Sequence, residues 1–246
     1  MATAMLTVER DREAREDARV GTEWPKGGLT TQDVAEVMRA RREAYLLMAR
    51  LFRVEVDDEL LATLRSTDAF TCEDERLDKA LGMMRDYLAS EGASTLDLAR
   101  DYAKAFCGAG STKRNSAYPF ESVYTSEDGM LMQEARDGAL AWYRRFRLTK
   151  AQGWHDCEDH LALELEFVAV LANDCLASLE AGDAARAREL VVAQRDFVAE
   201  HLADWLPEFD RDVDRKARTS FYRGLARFTS LYVKRDLAAL RGLLGA

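Results

Sequence analysis

The segment DCEDHLALELEF, residues 156 to 167, concentrates groups that can bind cations or move protons. It holds five carboxylates and one histidine at the start of a stretch with helical apolar spacing. Acidic residues in the first turn stabilise a helix by about 0.3–1 kcal/mol each, because their negative charge interacts favourably with the helix dipole. Helix formation alone therefore explains part of the pattern. It does not explain His160 and Glu164, which lie one turn apart on the same face.

Metal binding is one chemistry that His160 and Glu164 could support. An i, i+4 pair supplies two ligands, whereas structural zinc sites use four and catalytic sites three protein ligands. The chain has three histidines, and it has no second Glu/His motif of the kind that di-iron helix bundles use. We therefore predict no metal, no cofactor and no catalytic residues, and we keep a metal-dependent helical enzyme using His160 and Glu164 as an alternative.

Recognition of arginine is the other chemistry that these acids could support. Carboxylates bind guanidinium groups through paired hydrogen bonds, and an apolar surface beside them would accommodate the rest of a peptide. We expect Asp156, Glu158 and Asp159 to supply the acids. The aromatic residues at 118–124 would supply the apolar surface, but spacing along the chain does not show whether the two segments meet.

Composition narrows the class of protein. The chain of 246 residues has 44 acidic and 35 basic residues, a net charge of −9, which argues against a general nucleic-acid-binding protein. The four cysteines are widely spaced without a C-x-x-C pair, so neither a zinc finger nor a disulfide framework is expected. No apolar signal segment or membrane span is apparent. We expect a cytoplasmic protein with no nucleic-acid partner and no stable membrane insertion.

The elements that must position these groups are helices. Three prolines and 14 glycines interrupt long stretches rich in Ala, Leu, Arg and Glu, which favour helix, so we predict an all-α fold with a single compact multi-helix domain. The charged residues 1–28 end in a Pro-Lys-Gly-Gly breaker and are expected to form a mobile leader before a domain at 29–246. Thr30 and Asp33 predict a capping box, and Asp156 with Asp159 predicts a second cap.

The apolar period predicts nine helices separated by one long loop. The loop, residues 108–129, contains turn residues and several aromatics, and a loop of this length in a helical domain is usually functional. The helices are expected at 30–52, 57–64, 73–90, 95–107, 130–146, from 156 onward, at 183–204, at 209–219 and from 221 onward.

Six segments together resemble the TorD/DmsD family of redox-enzyme maturation chaperones. They occur in the order of that family and cover residues 45 to 232. The segments are YLLMARLF (45–52), DYAKAFCG (101–108), YPFESVYTSEDG (118–129), EDHLALELEFVAVL (158–171), HLADWLPEF (201–209) and FYRGLARFT (221–229).

The resemblance implies an all-helical cytoplasmic chaperone without catalytic activity. Members of that family bind the twin-arginine signal peptide of a molybdenum-containing reductase of the DMSO-reductase type, and they hold it until the cofactor is inserted before export. Asp159 and His160 match the family's Asp-His motif, and Asp156 stands where Glu is usual. The other matched positions are Tyr102, Phe106, Pro119, Phe120, Ser122 and Tyr124.

Three further expectations complete the sequence reading. Cys157 replaces a proline of the family motif, which predicts a looser helix start and a buried, inert thiol. A pKa of His160 near neutrality would make peptide binding depend on pH. The oligomeric state is left open between a monomer and a homodimer domain-swapped through 108–129 or 147–156.

A regulatory scaffold protein is a further alternative function. It rests on the basic C-terminal third, with Arg211, Arg215, Arg218, Arg223 and Arg227, of which the first three share one helical face. A solvated face is the interpretation that we favour for these residues, because charged runs on helices usually face water.

Overall fold

The computed structural model describes residues 4–8, 24–25, 29–66, 72–108 and 116–245. Within these residues the chain forms ten helices and two short strands, which confirms the all-α fold. The helices are α1 (Thr31–Arg53), α2 (Asp58–Ser66), α3 (Glu75–Ala89), α4 (Thr95–Ala105), α5 (Glu121–Thr125), α6 (Glu134–Arg145), α7 (Leu161–Glu180), α8 (Ala184–His201), α9 (Leu206–Lys216) and α10 (Ser220–Leu244). The strands are β1 (Leu6–Val8) and β2 (Leu148–Lys150).

Helix α7 lies at the centre of the molecule. Its sequence is apolar on nearly every face, which is the pattern of a helix surrounded by protein rather than of a surface helix. Helices α1 and α8 both pack against α7, while α10 packs against α3, α8 and α9. The acid-rich stretch that leads into α7 therefore enters the core from Cys157 onward, and only Asp156 at its start is exposed.

The capping box predicted before the first helix is present. The hydroxyl of Thr30 accepts a hydrogen bond from the backbone N–H of Asp33 at 3.1 Å, and the carboxylate of Asp33 accepts one from the N–H of Thr30 at 2.6 Å. Two otherwise unpaired backbone donors are thus satisfied at the start of α1. The sequence pattern and the local structure agree at this helix end.

The start of α7 differs from the prediction. His160, not Asp156, is the N-cap residue, and its Nδ1 accepts a hydrogen bond from the N–H of Ala162 at 3.1 Å. The helix begins at Leu161 because the preceding residues are held by other contacts. The predicted cap at Asp156 was wrong, and three short elements, β1, α5 and β2, were not predicted.

Residues 4–8 are part of the folded unit, where the sequence had led us to expect a mobile leader. Strand β1 pairs antiparallel with β2, with Leu6 opposite Lys150 and Val8 opposite Leu148. Met5 and Leu6 are buried, and the N–H of Met5 donates to both carboxylate oxygens of Glu166 at 2.9 Å. The other residues of the expected leader, apart from 24–25, lie outside the described residues, and Trp24 is buried.

A buried polar network joins three of the long helices. The guanidinium of Arg41 in α1 forms paired hydrogen bonds with Asp236 in α10, at 2.5 and 2.8 Å, and it also bonds to Gln194 in α8. The hydroxyl of Tyr45 donates to the same Asp236 carboxylate at 2.7 Å. Because the charges are paired and hydrogen-bonded, their burial is tolerated.

Candidate functional site

The two segments that the sequence singled out meet in the structure. Phe120 and His160 form an isolated antiparallel bridge, in which the N–H of Glu121 donates to the carbonyl of Asp159 at 3.0 Å. The N–H of Leu161 donates to the carbonyl of Pro119 at 2.9 Å. The loop before α5 is therefore hydrogen-bonded to the turn before α7, and the two form one local structure.

Asp159 fastens this structure from inside. It is fully buried, and its Oδ2 accepts a hydrogen bond from the N–H of Ser122 at 3.0 Å. The hydroxyl of Ser122, also buried, accepts a hydrogen bond from the N–H of Gln133 at 3.3 Å. Asp159 and Ser122 hold the loop to the core, so neither side chain faces a surface where a peptide could reach it.

Glu158 is already neutralised by the chain's own cations. Its carboxylate contacts Nε of Arg136 at 2.6 Å and Nζ of Lys150 at 2.9 Å. Burial alone would raise the pKa of Glu158, but the hydrogen bonds from Lys150 and Arg136 outweigh burial and hold it below the ordinary value. A peptide arginine would have to displace one of these partners, which makes Glu158 a poor first contact.

His160 is a buried, neutral helix cap. Its ring lies 4.8 Å from the ring of Phe120 and 5.2 Å from that of Trp154, in edge-to-face geometry. Burial lowers the pKa of His160 to about 3. The expectation of a pKa near neutrality was wrong, since the imidazole stays uncharged between pH 5 and 8.

The predicted aromatic groove is mostly core. The hydroxyl of Tyr102 donates to the carbonyl of Phe52 at 2.8 Å, and Phe106 is buried against Phe52 and other aromatic rings. Phe120 is likewise buried. Tyr124 is half-buried and stacks on Trp205, with ring centres 5.3 Å apart. These residues brace the site and offer a peptide little free surface.

Asp156 is exposed, unlike the other predicted acids, and Glu55 is a second exposed carboxylate that acts on the same groups. Burial raises the pKa of the Cys107 thiol, and the negative charges of Glu55 and Asp156 raise it further. Both carboxylates act on Tyr102 in the same way, so both lie near the end of α4. Sequence reasoning missed Glu55, because it follows α1 by chain position and nothing in its spacing links it to residue 156.

A second exposed feature follows α5. Met130, Leu131 and Met132 are 57%, 43% and 69% exposed, three consecutive apolar residues facing solvent. Exposed Glu127 and Asp128 precede them. The run directly follows the loop at 108–129. The sequence analysis predicted that a helix begins at residue 130, whereas α6 begins at Glu134. The sequence did contain a signal for this exposed surface, because the short apolar run closely follows two acidic residues.

The alternative metal pair is not assembled as predicted. The carboxylate of Glu164 lies close to the carboxylate of Glu121 and the ring of His201. Among the described residues, this group does not include His160. His201 Nδ1 is 2.8 Å from Oε2 of Glu121. Glu121 and His201 were missed because they stand 80 positions apart in the chain, so no local spacing links them.

Cys157 is buried, and burial raises the pKa of its thiol. A thiol with a raised pKa is a poor nucleophile at neutral pH. In the described part of the chain, no helix combines the length and the apolar character needed to cross a bilayer.

Comparison with known proteins gives consistent matches. The family model described as nitrate reductase delta subunit matches residues 71–211. Chaperone protein TorD of Shewanella loihica is 29% identical over 220 residues, covering 85% of this chain and 96% of that protein. The TorD protein of Vibrio parahaemolyticus is 28% identical over 219 residues, covering 86% and 99%. A redox enzyme maturation protein from Archaeoglobus fulgidus superposes with a TM-score of 0.45 at 20% identity, covering 79% of this chain and 93% of that one.

Proposed function

Because this chain belongs to the nitrate reductase delta subunit family and is a maturation chaperone of the TorD kind, not an enzyme, we propose that it binds the twin-arginine signal peptide of a molybdenum-containing reductase. It holds that peptide in the cytoplasm until the molybdenum cofactor has been inserted, and then releases it for export. The recognised element is a pair of arginines followed by an apolar segment.

The exposed carboxylates of Asp156 and Glu55 are the observation that carries this proposal. Both face solvent beside Tyr102 and Cys107, and neither forms an ion pair with any residue that the structure describes. Arginine binds carboxylates through a planar fork of donors, so two exposed acids near one helix end suit a pair of arginines. Glu158 and Asp159 support the site from behind and do not contact the peptide.

The exposed loop of Met130, Leu131 and Met132 suits the apolar part of the same peptide. Methionine side chains are flexible and polarisable, which lets one surface fit apolar segments of different shape. Glu158 connects the loop to Asp156. Arg136, one turn after the loop, bonds to the carboxylate of Glu158. Lys150 bonds to the same carboxylate and also donates to the backbone carbonyl of Asp156. The acidic contact at Asp156 and the apolar contact at the loop are therefore both connected to Glu158, where one peptide can reach both.

Calorimetric titration with twin-arginine signal peptides tests this function. Each peptide is compared with a version in which both arginines are lysines, because lysine keeps the charge and loses the paired hydrogen bonds. We expect the lysine version to bind more weakly. Asp156→Asn and Glu55→Gln should each weaken binding of the arginine version by about two- to fivefold, the range for exposed ion pairs.

Glu180→Gln is the matched control, since Glu180 is an exposed acid at the far end of α7, about 30 Å along the helix. It should leave affinity unchanged. Equal affinity for the arginine and lysine peptides, together with unchanged binding by both acid variants, would remove arginine recognition from this face. Failure of every peptide to bind would contradict the proposed function itself.

A further inference from the structure

Three ionisable side chains from distant parts of the chain converge in the interior. Glu121 opens α5, Glu164 lies in the first turn of α7, and His201 is the last residue of α8. One ligand atom from each lies within 4.8 Å of the others, and all three residues are buried. This cluster is separate from the exposed acids assigned above to the peptide.

The cluster holds more negative charge than its hydrogen bonds satisfy. Glu164 is fully buried and has the carboxyl group of Glu121 in hydrogen-bonding contact. Neither of its carboxylate oxygens accepts a hydrogen bond from an N–H or O–H donor among the described residues. The same is true of Oδ1 of Asp159, whose charge acts on Glu164 together with that of Glu121. Burial raises the pKa of Glu164, and these two neighbouring carboxylates raise it further. Buried carboxylate oxygens without partners are costly, so the site calls for either a proton or a cation.

The ring of His201 is packed tightly in place. A Cβ added at Gly138 would lie 2.8 Å from Cε1 of His201, so the glycine leaves room for the ring. The ring of Phe197 lies 4.9 Å away, and Nε1 of Trp205 donates to the carbonyl of His201 at 2.7 Å. The imidazole therefore has a fixed position and orientation, which a ligand needs.

We propose that Glu121, Glu164 and His201 hold a divalent transition-metal ion that joins α5, α7 and α8. Two carboxylates and one imidazole form a donor set that suits zinc, manganese or ferrous iron. The double positive charge neutralises the two carboxylates, and the ion replaces the present hydrogen bond between Glu121 and His201. The centre is structural, since it fastens α5 to the two core helices α7 and α8.

Metal content and refolding of the full-length protein test this site. The protein is unfolded in guanidinium chloride with a chelator, and it is then refolded with Zn²⁺, with Mn²⁺ or with chelator alone, so that burial does not prevent entry. After dialysis we expect one equivalent of metal per chain. We also expect the melting temperature to rise by about 5–10 °C at a free metal concentration about a hundred times the dissociation constant.

Glu164→Gln keeps the shape of the side chain and should abolish both the retained metal and the rise in melting temperature. His155→Gln removes an exposed histidine outside the cluster and should change neither. Wild-type protein that retains no metal and melts at one temperature in all three conditions would overturn the proposal. So would metal that Glu164→Gln still retains. A proton shared between Glu164 and Glu121 would then satisfy the cluster.

Discussion

The backbone N–H of Ser122 donates a hydrogen bond to Oδ2 of Asp159, 3.0 Å away in the protein interior. This contact joins α5 to the turn before α7. Asp159→Ala removes the acceptor and leaves a buried donor unpaired, so we expect a loss of about 1–3 kcal/mol in the free energy of unfolding. Urea denaturation measures it. Asp159→Asn retains an acceptor and should lose less, and equal losses for the two variants would contradict this role.

His160 and Glu164 should make the stability depend on pH in opposite directions. His160 has a folded pKa of about 3 and an ordinary value of 6.5, so the unfolded chain binds more protons between these values and stability falls as pH drops below about 6.5. Glu164 has a raised folded pKa, so the folded chain binds more protons above about 4.5 and stability falls as pH rises from there.

Two variants separate these contributions. His160→Asn keeps a capping acceptor and removes the titration, so wild type minus variant should change by up to about 1.4 kcal/mol per pH unit between pH 4 and 6. Glu164→Gln should give a difference of the opposite sign in metal-free protein. Denaturant titrations at a series of pH values measure both. A flat difference curve for His160→Asn would mean that the imidazole is solvated.

The ion pair of Arg41 and Asp236 should behave as a buried unit. Asp236→Leu leaves the Arg41 guanidinium uncompensated in the core, and we expect a loss of about 3–5 kcal/mol. The double variant Arg41→Met with Asp236→Leu removes both charges and should lose much less than the two single changes added together. Thermal or urea unfolding of the four proteins measures the coupling. Additive losses would show that the pair is solvated.

Tyr102→Phe should separate structural support from peptide contact. The variant removes the hydroxyl that donates to the carbonyl of Phe52 at 2.8 Å, so we expect a loss of about 1–3 kcal/mol in stability. Peptide affinity below the melting temperature should stay unchanged, because the hydroxyl is engaged inside the protein. A large drop in affinity without a loss of stability would place this hydroxyl on the peptide.

The exposed loop of Met130, Leu131 and Met132 should affect peptide affinity and not stability. Changing Met130, Leu131 and Met132 to serine alters side chains that face solvent, so the melting temperature should stay within about 2 °C of wild type. Affinity for the signal peptide should fall, with little change in its dependence on salt, because the contact is apolar. Serine substitution of Leu96, an exposed leucine in α4, is the control.

The helical framework could be predicted because its signals are local. The capping box at Thr30 needs residues three apart, and the burial of α7 follows from a run that is apolar on every face. The start of α7 could not be predicted from the same signals. The residues before it are held by Arg136, Lys150 and the loop at Pro119, and none of these contacts leaves a trace in helical spacing.

The sequence identified the segments around the site, but it did not predict the role of each residue in them. Pattern and resemblance brought Phe120 and His160 to attention, and these two residues do pair. Sequence cannot tell an acid that faces water from one that faces the core, so Asp156 and Asp159 were given the same role although only the first is exposed. Glu55 and His201 join their clusters through contacts distant in the chain.

Strand β1 has a partner that is made much later during synthesis. A ribosome completes residues 6–8 long before residues 148–150, so the first strand must wait unpaired while six helices emerge after it. Contacts between distant parts of a chain form late in folding. Closure of β1 on β2, and with it the burial of Met5 and Leu6, therefore marks a nascent chain that has already produced α6 and residues 148–150.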